Sequence, residues 1–203
     1  KEALEVLEQA VRLEPANAGL RNFYGQVCFM TGRNDAAEAA FRKALELDPD
    51  LADAHNNLGA LYDRMGRKDE AEREYRKALE APAYPTPEKV YLNLGLLYSS
   101  QGRDEEAIRE LRRSVELNPK YYQAHFELAS LLDRTGRLEE AVREYEVAAP
   151  GYSSSGDYFY RVGFGYFRLG DRQKARERLS RAIEVSPGSE AAAKSDDLLK
   201  VMR

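Results

Sequence analysis

The side chains best suited to chemistry are two histidines, one cysteine and several acidic pairs. His55 and His125 are of a type that ligates metals or moves protons. A zinc centre needs ligands converging on one ion, yet these two stand at equivalent places of a repeating pattern, with a whole repeat between them. Tyr91 and Phe159 fill the same place in other copies, so both histidines are expected to pack at an aromatic-type position. Cys28 is the only cysteine, which excludes an intrachain disulfide. It stands where Tyr62, Tyr98 and Tyr166 stand, and is expected to be a small buried hydrophobe. Carboxylate pairs such as Glu105-Glu106 fall at helix starts, where they complement the positive end of the helix dipole. There is no phosphate-binding glycine loop, zinc-protease helix motif or nucleophile elbow. The expectation is a non-enzyme with no catalytic residue, no metal and no cofactor.

The elements that position these residues follow from a repeat. Gly32, Gly66, Gly102, Gly136 and Gly170 are separated by 34, 36, 34 and 34 residues. Seven residues before each stands a small residue: Gly25, Gly59, Gly95, Ala129 and Gly163. Five residues after each stands an alanine, then a large apolar residue: Phe41, Tyr75, Leu111, Tyr145 and Leu179. Three further on lies another small residue, from Ala44 to Ala182. Small residues at fixed helical positions let two backbones approach, and large ones fill the gaps beside them. Each copy is thus two short amphipathic helices joined at the glycine. A pair this short cannot bury its apolar face alone, so neighbours must stack.

This pattern resembles the tetratricopeptide repeat family over almost the whole chain. The first-helix motif of that family is nearly literal in Tyr91–Leu94–Gly95–Tyr98, and close in His55–Leu58–Gly59–Tyr62 and Phe159–Val162–Gly163–Tyr166. It is weaker in Arg21–Tyr24–Gly25–Cys28 and His125–Leu128–Ala129–Leu132. The family's terminal proline appears as Pro15, Pro49, Pro119 and Pro187. The resemblance implies an all-α fold, a right-handed α-solenoid of antiparallel helix pairs. The expected divisions are 1–17, the second helix of a truncated repeat; full repeats at 18–51, 52–87, 88–121, 122–155 and 156–189; and a capping helix at 190–203. Two joints break the period: a proline-rich loop at Pro82, Pro85 and Pro87, and the run Pro150 to Gly156, whose small polar residues read as the hinge of the stack. On the first helix Ala3, Leu7 and Ala10 are spaced to pack on a helix outside this sequence.

Composition bounds the partners. In 203 residues, 33% are charged and 43% are apolar, which is not a disordered composition. A net charge of −4 argues against a general nucleic-acid role. A basic cluster at Arg172, Lys174, Arg176, Arg178 and Arg181 is diluted by Glu177 and Glu184 and reads as a solvated face. No apolar run reaches membrane-span length, and no signal peptide is visible. The expected compartment is the cytoplasm, with the periplasm as the alternative.

The resemblance also implies where a partner binds. In the family the first helices line a concave groove that holds a peptide or partner segment. The positions offset from the packing motif are Asn22, Gln26, Asn57, Lys89, Leu92, Asn93, Leu96, Phe126, Tyr160, Phe164 and Phe167. The first half is amide-rich and the last half aromatic. Stacked asparagines at this place resemble the backbone-reading ladder of some members, since an amide can both donate to and accept from a peptide unit. Asn57 and Lys89 match two of five positions of the subfamily that clamps a C-terminal carboxylate. Asn22, Gln26 and Asn93 stand where that clamp has Lys, Asn and a basic residue, so a carboxylate clamp is not expected. The expected function is a protein–protein interaction scaffold. The alternatives are an accessory or regulatory region of a larger enzyme, or a structural module of an oligomer. In the latter case self-association or an upstream chain covers the open N-terminal end.

Overall fold

The computed structural model of the protein describes residues 2–81 and 84–202, with side chains from residue 5 onward. Pro82 and Ala83, at the head of the proline-rich loop, lie outside the described residues, as does the Ala3 side chain. The chain forms two compact units, residues 1–101 and 102–203. The first contains α1 (Glu2–Leu13), α2 (Ala18–Met30), α3 (Asn34–Leu47), α4 (Ala52–Arg64), α5 (Lys68–Glu80) and α6 (Pro87–Ser100). The second contains α7 (Asp104–Leu117), α8 (Tyr122–Arg134), α9 (Leu138–Ala148), α10 (Gly156–Arg168), α11 (Arg172–Val185) and α12 (Glu190–Val201). No strand occurs among the described residues. The fold is all-α, a solenoid of antiparallel helix pairs.

The turn glycine has a specific job. Gly32, Gly66, Gly136 and Gly170 each sit just past a helix end with φ between 77° and 81°, where a side chain would be strained. The residue after each closes the helix by bonding back five residues: Arg33 N to Cys28 O, Arg67 N to Tyr62 O, Arg137 N to Leu132 O and Asp171 N to Tyr166 O, at 2.8–3.0 Å. This is the left-handed helix stop that satisfies carbonyls otherwise left without partners. Carboxylates follow in the first turn of three of these second helices, Asp35 in α3, Asp69 in α5 and Glu139 in α9. α11 has none, and Asp171 instead caps it by accepting from Lys174 N at 3.0 Å.

The small and large residues of the repeat meet across the helix pair. A Cβ on Gly25 would lie 2.6 Å from the Phe41 ring, and one on Gly59 would lie 2.7 Å from Tyr75. One on Gly163 would lie 2.7 Å from Leu179. The large side chain of the second helix therefore seats directly on the backbone of the first. Phe41, Tyr75, Tyr145 and Leu179 are all fully buried. The motif tyrosines then tie successive repeats. Tyr62, Tyr98 and Tyr166 donate their hydroxyls to Glu38, Glu72 and Glu146 of the preceding second helix, at 3.1, 2.8 and 3.1 Å. Cys28, at the same position in α2, is fully buried and makes no such link.

The segment 150–156 is filled rather than open. A single 3-10 turn covers Ala149–Gly151, and Ser155 caps α10 by accepting from Tyr158 N. Tyr152 stacks on Phe126 at 4.6 Å and on Tyr158 at 5.6 Å, with interplanar angles of 25° and 16°. Gly151 backs onto the Tyr122 side chain. The sequence reads this run as a hinge from its small residues; the one aromatic in it packs between Phe126 and Tyr158.

Candidate functional site

Contacts between first helices fix which way each position faces. Within the first unit Asn57 Nδ2 donates to Asn22 Oδ1, and Asn93 Nδ2 donates to Asn56 Oδ1, both at 2.9 Å. Arg64 donates to Phe29 O at 2.9 Å and holds its guanidinium 3.9 Å over the Phe29 ring. The residue two before the small position thus meets the residue three before it in the preceding repeat. The residue five after meets the residue four after. α2 and α4 therefore run parallel and in register.

The asparagines are partly committed to each other. Asn22 is buried to 8% exposure; Asn56, Asn57 and Asn93 are half-buried. Each pairing takes one donor from one amide and one acceptor site from the other, and an amide carries further capacity beyond that. Gln26 and Leu96 are half-buried and Lys89 is exposed on the same surface. Leu92 is only 3% exposed and packs inward.

In the second unit the same positions change chemistry. Arg161 stands where Asn57 stands, and its guanidinium lies 5.9 Å from the Phe126 ring. Phe126 is gathered into an aromatic cluster with Tyr145, Tyr152 and Tyr158, at 5.6, 4.6 and 6.5 Å. Along α10, Tyr160, Phe164 and Phe167 form a line of half-buried rings. The Tyr160 and Phe164 centroids are 6.0 Å apart with planes 8° from parallel, and Phe164 and Phe167 follow at 6.4 Å and 19°. Spacing by four and three residues puts all three on one helix face.

Cations border this line, and each is paired. Arg168 lies 5.8 Å from the Phe164 ring and pairs with Asp133. Lys194 lies 5.9 Å from the Tyr160 ring and pairs with Glu190 at 2.6 Å. Arg161 pairs with Asp157 at 2.7 Å. Glu127 is half-buried beside them. Burial pushes its carboxyl above the usual range, and the Arg161 charge only partly offsets this.

The histidines are satisfied within the repeat. His55 Nδ1 lies 2.6 Å from the Glu74 carboxylate, and Nε2 lies 3.0 Å from the Pro49 carbonyl. His125 repeats the arrangement with Glu144 at 2.6 Å and Pro119 at 3.2 Å. Both rings are buried struts between a loop and the next second helix. Among the described residues no three His, Cys, Asp or Glu side chains converge as a metal site. On α11, Arg178 pairs with Glu146 at 2.9 Å and Arg181 with Glu184 at 2.8 Å.

Models of the tetratricopeptide repeat match residues 1–41, 52–81, 92–156 and 157–189, and a TPR repeat model matches 25–66. The chain belongs to the tetratricopeptide repeat family. Among solved structures it is similar to PilW, a widely conserved type IV pilus biogenesis factor, at 28% identity and a TM-score of 0.82. That match covers 98% of this chain and 90% of PilW. It is similar to YrrB, a TPR protein with an unusual peptide-binding site, at 26% identity and a TM-score of 0.72, over 96% of this chain and 99% of YrrB. It shares its fold with pilF of Pseudomonas aeruginosa, at 22% identity and a TM-score of 0.82, over 96% of this chain and 86% of that one. No curated protein matched the sequence. The chain has the architecture of a protein-interaction scaffold, and among the described residues no helix is long and apolar enough to cross a membrane.

On this TPR surface, sequence reasoning passed over three residues. Phe23 and Met30 are 53% and 83% exposed, at positions held by Asn57 and Arg64 one repeat later. Their apolar type at a position that is polar in every later repeat was the available signal. Tyr152, which backs Phe126, was hidden by its small polar neighbours.

Proposed function

We propose that the first helices bind a peptide or partner segment, with the α10 rings as anchors for its apolar side chains. The observation that carries this reading is the line Tyr160, Phe164 and Phe167, half-buried and near-parallel on one face. Aromatic rings give large contact area at low conformational cost and dominate binding hot spots. The bordering cations are already paired, so the surface favours an apolar or neutral segment over a polyanion. That supports a protein partner rather than nucleic acid. In the first unit the paired amides offer polar contacts to a backbone while Lys89 supplies one exposed charge. The resemblance to YrrB supports a peptide as the ligand class.

The test is selection of peptides from a random display library on the immobilised chain, followed by amide and aromatic NMR shifts on titration. Shifts centred on Tyr160, Phe164 and Phe167 support the reading. Shifts confined to the second helices, or no enriched peptide, overturn it.

A further inference from the structure

α4 and α10 turn their residues two before and five after the small position toward the preceding first helix of the same unit. Asn57 and Arg64 reach Asn22 and Phe29. Arg161 and Arg168 reach Phe126 and Asp133. In α12, aligned one repeat after Gly163, the counterparts are Ser195 and Met202, 0% and 2% exposed, and Met202 belongs to the second-unit core. In α2 the two positions hold Phe23 and Met30. Met30 and Met202 thus share one register and one residue type, but Met30 is 83% exposed.

A second position points the same way. Glu74 and Glu144 face the first helix of their own repeat through His55 and His125. Val6 on α1 stands at that position and is 65% exposed. Beside it Leu7 and Ala10, half-buried, complete the apolar side of α1.

We infer that α1 and α2 together form a docking site for one further amphipathic α-helix, from outside residues 1–203, lying parallel to α2. The interface continues the one that repeats along each unit, and that continuity states the chemistry of the occupant. It carries large apolar side chains seven residues apart, against Phe23 and Met30, and a third apolar residue one position before the first of these, against Val6. Amide or acidic residues at the paired positions, as in α4 (Asn56 and Asp63), would not suit two large apolar partners. An exposed patch of this kind marks an interaction site. It is built on α1 and α2 of the first unit alone and is independent of the binding proposed for the α10 rings.

Within this chain α10 has the required pattern, with Phe159, Tyr160 and Phe167 at the three positions. It supplies the probe: a synthetic peptide of residues 156–168, held helical by a lactam bridge on its outer face. The expected result is saturable one-to-one binding to the whole chain, weakened at least tenfold by Phe23→Asn with Met30→Arg. Both residues are exposed, and the replacements are those standing one repeat later, so the melting curve should not move. Equal binding to the variant, or no saturable binding, overturns the inference. So does concentration-dependent sedimentation of the wild-type chain that the same variant abolishes, since a second copy would then be the occupant.

Discussion

The Asn57 amide donates to Asn22 Oδ1 at 2.9 Å across 35 residues of chain, joining two repeats on the surface proposed to bind. Asn93 and Asn56 repeat the bond one repeat later. The same side chains are therefore part of the stack before any ligand arrives. Removing Asn57 leaves Asn22, 8% exposed, without this partner. A neutral hydrogen bond contributes about 0.5–1.5 kcal/mol net, and leaving a buried polar group unmade costs about 1–3 kcal/mol. Asn57→Ala should lower stability by about 1 kcal/mol in urea unfolding. A double-mutant cycle with Asn22→Ala should return a coupling of similar size; additive effects would show that the bond contributes nothing.

Gly59→Ala tests the seat of the large side chain. The added methyl would lie 2.7 Å from the Tyr75 ring, itself 2% exposed. Overpacking costs about 1–3 kcal/mol, while alanine gains up to about 1 kcal/mol of helix propensity. The net expectation is a loss of about 1–2 kcal/mol. Gly19, whose nearest neighbour is the Asn17 side chain at 3.5 Å, should gain stability on the same change.

Glu127 gives a pH signature. Its carboxyl is raised chiefly by burial, with Arg161 opposing. A raised carboxyl binds its proton more tightly folded than unfolded. Its contribution is fully present below the unfolded value and is lost as pH rises through the folded one. Glu127→Gln should therefore raise the melting temperature at pH 7 and leave it nearly unchanged near pH 3. A variant that melts lower at neutral pH would show that the ionised form is stabilised by Arg161 after all.

Tyr152→Ala removes the ring stacked between Phe126 and Tyr158. Truncating a packed aromatic costs about 3–5 kcal/mol in a full core, and less here because the ring is only half-buried. Amide exchange across 149–156 should accelerate, with residues of α4 unaffected. Unchanged exchange there would show that the Tyr152 ring does not restrain the segment.

The repeat was legible because glycines, alanines and large residues recur at fixed helical offsets, and each proves to be one half of a contact. The Gly59–Tyr75 seat and the left-handed Gly66 turn are both written in residue types. The surface positions were legible as offsets from that frame, but their partners were not. Leu92 stands at an offset position yet is only 3% exposed. Phe126 is drawn among Tyr145, Tyr152 and Tyr158 by a loop whose path the small residues of 150–156 leave open. The histidines follow a readable rule, a glutamate 19 residues on and a proline carbonyl six before, which becomes visible only once the loop geometry is known.

The most direct test of partner binding at the α10 rings is Phe164→Ala, read by two instruments at once. Phe164 lies between Tyr160 and Phe167 in the stacked line and is half-buried. A hot-spot side chain contributes about 2 kcal/mol or more, close to thirtyfold in affinity. For a peptide selected on the wild-type chain, the dissociation constant should rise by about that factor while the melting curve stays in place. An unchanged dissociation constant, or a lost affinity accompanied by a large fall in melting temperature, would contradict the account.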